Sequence, residues 1–116
     1  GVIAFYRHDR RIIFGIGDVN STSFPEESIG NIAKDYDDNA WHLATGVKTS
    51  NSRIDLYVDG TLIASDTSLT TDASLENSGK LIIGDANETD GTDEFLGTID
   101  EVKIYRAALS PARRVV

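Results

Sequence analysis

The stretch "RIDLYVDGTLIAS", residues 53–65, decides the fold class. Ile54, Leu56 and Val58 alternate with Asp55 and Tyr57, the two-residue period of a strand buried on one face. Asp59-Gly60 then offers the two positive-φ positions of a type I′ turn, whose twist matches the strands it joins. A two-residue turn pairs Val58 with Thr61, Tyr57 with Leu62 and Leu56 with Ile63. That register points Ile54, Leu56, Val58 and Ile63 towards a core, and Asp55, Tyr57 and Leu62 to the opposite face.

Outward from this hairpin the same grammar repeats. Apolar, β-branched and aromatic runs at Val2–Tyr6, Arg11–Ile16, Ala40–Val47, Lys80–Ile83 and Phe95–Tyr105 are predicted strands, separated by Gly, Asn, Asp and Ser clusters. In "EFLGTIDEVKIY", residues 94–105, strict alternation cannot place Leu96, Ile99, Val102 and Ile104 on one face. Either both faces are covered or a bulge lies near Gly97. "ALSPARRVV", residues 108–116, predicts a short helical turn, with Ser110 as N-cap and Pro111 at the first helical position. No long segment carries a helical period, so the chain is expected to be all-β.

The bulk numbers narrow the function. With 116 residues there is room for one domain and one core, and a chain of this size folds without staples. No apolar run reaches the ~20 residues of a membrane-spanning helix, and residues 1–20 do not resemble a signal peptide. There is no methionine, from which the chain is expected to be cut from a longer protein, and no cysteine, which excludes disulfides, thiolate zinc sites and thiol catalysis. A net charge of −8 argues against nucleic acid and anionic membranes, both of which call for a basic footprint.

Four stretches in order carry a family resemblance: "AWHLATGV" (40–47), "RIDLYVDGTLIAS" (53–65), "GKLIIGD" (79–85) and "EFLGTIDEVKIYRAALS" (94–110). Together they resemble the laminin-G-like, concanavalin A-like jelly-roll domains of exported proteins, closely over residues 40–110 and loosely before. The resemblance implies an antiparallel β-sandwich of jelly-roll type. It also implies extracellular or cell-surface location, and a glycan or an extracellular protein as partner. Family domains carry further strands before the segment matching Val2–Ile16. The chain therefore reads as residues 1–116 of a single domain, its C-terminal part, with an exposed sheet edge that invites self-association.

Candidate chemistry is sparse. Trp41 reads as a core residue at the start of a strand, His42 as a half-exposed strand histidine, and His8 as a solvated group in the charged turn "YRHDRR". Nothing matches a G-x-S-x-G nucleophile elbow. Glycoside hydrolysis wants two facing carboxylates, whereas Asp100 and Glu101 are adjacent and so point to opposite faces of a strand. Absence of enzymatic activity is therefore expected, with a remnant of a glycoside hydrolase the least favoured reading and a structural spacer the main alternative to a binding module.

The acidic loop "GDANETDGTDEF", residues 84–95, holds five carboxylates. Its spacing departs from the EF-hand pattern at Thr89, Gly91 and Leu96. Calcium wants six to eight hard oxygens, and Asp85, Asp90, Asp93 and Asp100 are the candidate ligands; a solvated turn is the competing reading. For a sugar, Tyr57 and Tyr36 are the candidate aromatic platforms, with Asp38 and Asn39 of "KDYDDNA" as hydrogen-bonding partners. Asn20 and Asn87 head N-glycosylation sequons.

Overall fold

The Asp59-Gly60 turn forms as the sequence requires, with φ of 52° and 78° at its two central residues. In the computed structural model residues 2–8, 11–17, 27–30, 35–50, 52–69, 81, 83–84 and 95–110 are described. Six strands follow one another: β1 (Val2–His8), β2 (Arg11–Gly17), β3 (Glu27–Gly30), β4 (Ala44–Ser50), β5 (Arg53–Val58) and β6 (Thr61–Asp66). They make two antiparallel three-stranded sheets, ordered β1-β2-β3 and β4-β5-β6. The described residues are all-β, as predicted.

The two sheets meet face to face. Phe14 and Ile16 of β2 and Ile29 of β3 pack with Ile54, Leu56 and Val58 of β5, and Ile12, Tyr36, Ile63, Ala64 and Leu69 close the cluster. Phe14, Ile16, Ile54 and Leu56 are almost wholly withdrawn from water, each contributing about 1.5–3 kcal/mol of apolar burial. Gly46 of β4 stands opposite Leu56, and the Phe14 ring lies over it. A Cβ added at Gly46 would sit 2.8 Å from Phe14 Cγ, so only glycine admits this approach of ring to backbone.

Five expectations need correcting. Val58↔Thr61 and Tyr57↔Leu62 pair as expected, but Leu56 faces Ala64 and not Ile63, because a bulge intervenes. The extra residue lets Ile63 and Ala64 both pack against the core. The face opposite the core was not expected to be buried, yet Asp55, assigned to it, is 2% exposed. Arg53 Nε donates to both its oxygens (3.0 and 2.9 Å) and Ser65 Oγ donates at 2.6 Å, which satisfies the buried carboxylate. The strand expected over Ala40–Val47 begins only at Ala44, and Trp41 before it is 69% exposed rather than in the core. β3, "ESIG", was not anticipated; four residues with one β-branched side chain hold their place through the ladder to β2.

The fifth correction concerns the C-terminal runs. Neither Leu81 and Ile83 nor Phe95–Tyr105 forms a strand. The two runs touch, since Phe95 N donates to Gly84 O at 2.7 Å, but no ladder grows from that bond among the described residues. Glu101 adopts φ 54°, a left-handed conformation that interrupts any strand there. The expected helical turn from Pro111, both sequons and most of the acidic loop lie outside the described residues.

Candidate functional site

Residues 35–43 lead into β4 and lie against the β5–β6 turn, and the most organised polar cluster described is built there. Asn39 takes φ 61°, which asparagine tolerates better than most residues. That turn brings Ala40 N to within 3.0 Å of Asp38 Oδ1. Two backbone-level ties then fix the segment to the hairpin: Asp59 N donates to Leu43 O, and Leu43 N donates to Asp59 Oδ1, each at 2.9 Å.

His42 sits between the two carboxylates. Its Nδ1 lies 2.8 Å from Asp59 Oδ2 and its Nε2 lies 2.9 Å from Asp38 Oδ1, with only 13% of the side chain exposed. Tyr36 meets the imidazole edge-on, at 5.1 Å between centroids and 78° between planes. The hydrogen bond to Asp59, then that to Asp38, raise the His42 pKa above its ordinary 6.5, against a smaller opposing effect of burial. Burial, then the Asp59 charge, push the Tyr36 hydroxyl upward, so it stays neutral across the range in which His42 titrates.

The arrangement is not a metal centre. The carboxylates lie on opposite edges of the imidazole, so the three groups do not converge on one point. Among the described residues no group of three or more His, Cys, Asp or Glu is placed to hold a metal ion. What the cluster does is hold a loop, and the loop presents Trp41 to solvent. Single exposed aromatics are ordinary on protein surfaces; here the flanking residues on both sides are fixed.

Of the residues singled out in the sequence, Tyr36, Asp38 and Asn39 come together in this loop. Tyr57 does not join them: it alternates with the core residues of β5 and lies on the opposite face of the sheet, half-buried. Asp100 is exposed, and its Oδ1 accepts a hydrogen bond from Glu101 N at 2.8 Å. Glu101 pairs with Lys103 at 3.3 Å. Asp85, Asp90 and Asp93 lie outside the described residues. Sequence reasoning missed the part played by His42, although the Asp-Gly turn that supplies one of its partners was plain.

Among the described residues no helix is long and apolar enough to cross a membrane. No curated protein sequence matches the chain. In solved structures, the chain is similar to an S-layer domain-containing protein (residues 221–444) from Clostridium thermocellum ATCC 27405, at 21% identity and a TM-score of 0.54. The likeness covers 90% of this chain and 49% of that one, so the chain spans about half the length of that neighbour. A laminin-G family model of the concanavalin A-like lectin/glucanases superfamily matches residues 2–113. On that match, and with two facing antiparallel sheets in the structure, the chain belongs to the laminin-G-like family of the concanavalin A-like superfamily.

Proposed function

We propose that this domain is a non-catalytic binding module of an exported or cell-surface protein, taking a glycan or an extracellular protein at the edge formed by residues 35–43 and the β5–β6 turn. The observation that carries the reading is Trp41, 69% exposed between a turn capped by Asp38 and a histidine held by two carboxylates. An indole fixed in the open offers a flat apolar face to a sugar ring or an apolar side chain, and the neighbouring carboxylates accept hydroxyl or amide hydrogen bonds. Family membership and the likeness to part of an S-layer protein support an extracellular setting.

Calcium is a separate element of the proposal. Any site would draw on Asp85, Asp90 and Asp93, with Asp100 as a further oxygen donor; such a site would tie the loop between Gly84 and Phe95 and make binding sensitive to chelator. Self-association through an exposed sheet edge is proposed as well, and Leu81, Leu96 and Ile104, each at least 70% exposed, add apolar surface for it. A sharp monomer by light scattering at high concentration would argue against it.

The test is a glycan and polysaccharide binding screen in millimolar calcium, repeated after chelation, with wild type and Trp41→Ala side by side. Binding weakened about tenfold or more by Trp41→Ala supports the site. Binding unchanged by Trp41→Ala moves the site elsewhere, and loss on chelation points to residues 85–94. Absence of any ligand, glycan or protein, favours a structural spacer. Polysaccharide hydrolysis lost on mutating Asp100 or Glu101 would overturn the non-catalytic reading.

A further inference from the structure

We propose that His42 is a protonation-dependent latch: with both ring nitrogens donating it bolts residues 36–41 to the β5–β6 turn, and with one proton gone it keeps one of its two carboxylate bonds and its hold on the loop around Trp41 loosens. The argument is geometric. A neutral imidazole has one N–H and one lone pair. Both His42 nitrogens face carboxylate oxygens, at 2.8 and 2.9 Å, so a neutral ring would turn a lone pair on one of them. Only the imidazolium donates on both sides, and each bond is then charge-assisted.

Asp59 is fixed by its own backbone N–H on Leu43 O and by Leu43 N–H on its second carboxylate oxygen. Asp38 is held through Ala40 N, which belongs to the same exposed loop. When the ring loses a proton, one of the two ring–carboxylate bonds loses its donor. Among the described residues, the groups facing the ring are Asp38 from the loop, Asp59 from the hairpin and Tyr36 edge-on; Asp35 and Asp37 share the loop with Asp38. The Tyr36 hydroxyl, pushed upward by burial and then by the Asp59 charge, stays neutral as His42 titrates. His42 is the group that changes.

The chain suits a direct test, because Trp41 is its one tryptophan and His8 its one other histidine. The imidazole 15N and 1H signals of the labelled chain are followed from pH 5 to 9, with His8→Gln used to assign His42, and Trp41 emission is recorded over the same range. The expected result is a His42 midpoint above 6.5, both nitrogens protonated below it, and an emission change that tracks the same midpoint. Asp38→Asn should lower that midpoint while leaving the hairpin folded, and His42→Gln should abolish the emission step. A His42 midpoint at or below 6.5, a midpoint unmoved by Asp38→Asn, or an emission flat across the His42 transition would each overturn the latch. None of these readouts depends on a ligand, so the latch and the binding site fail separately.

Discussion

Residues 53–66 and residues 95–105 are written in the same alternating style, yet one is the heart of the molecule and the other lies on its surface. In β5, Ile54 and Leu56 are 0% exposed; in the later run, Leu96 is 88% and Ile104 72% exposed. The difference lies in partners. β5 has a neighbour on each side, β4 and β6, and an apolar face opposite β2 and β3. The later run has one hydrogen bond to Gly84, from Phe95, and a left-handed residue at Glu101. Alternation prepares a strand, but pairing and a facing layer are what bury it.

The contrast breaks most sharply by truncation. Leu56→Ala should cost about 2–5 kcal/mol of stability, the usual range for a wholly buried leucine, whereas Leu96→Ala should stay within about 0.5 kcal/mol. Urea unfolding of both variants measures the gap, and equal losses would mean that the later run is buried in solution. Next in size is Gly46→Val. With Phe14 already against the glycine, the added side chain forces ring or strand aside, at about 1–3 kcal/mol.

Asp55→Ala comes third, at about 1–2 kcal/mol by the same unfolding measurement. It strips Ser65 and Arg53 of their shared acceptor, though Arg53, 42% exposed, regains water readily. The smallest effect is that of pH. His42 has its pKa raised on folding, so its contribution is complete below the ordinary value of 6.5 and is lost as pH rises through the raised one. Wild type should therefore lose stability across that window just above 6.5, while His42→Gln should show a flatter profile there.

How much of this was legible depended on how local each cause is. The hairpin turn was readable because Asp59 and Gly60 carry their backbone preference with them. The bulge opposite Leu56 was not, because it exists to bring both Ile63 and Ala64 onto a core supplied by the other sheet. Trp41 was misjudged from residue type: tryptophan is usually buried, but burial is conferred by whatever packs against it. The His42 cluster joins residues 4 and 17 positions away from it, and only a folded hairpin brings Asp59 back to the loop. Tyr36, Asp38 and Asn39 were picked for ligand chemistry; the structure shows Asp38 and Asn39 shaping the loop, a role compatible with that proposal but different from it.

The turn residue Asp59 also sets a rule for sequence change. Its left-handed backbone admits glycine, asparagine and aspartate with little strain. The Leu43 amide, needing an acceptor, removes glycine from that set. An imidazolium on the other side needs a second acceptor oxygen, and asparagine offers an NH2 there instead, so aspartate alone remains. Once the ring is neutral the amide of asparagine can donate to it, and two residues become acceptable. The alphabet permitted at position 59 thus widens with alkalinity, and saturation mutagenesis scored at two pH values would read that widening directly.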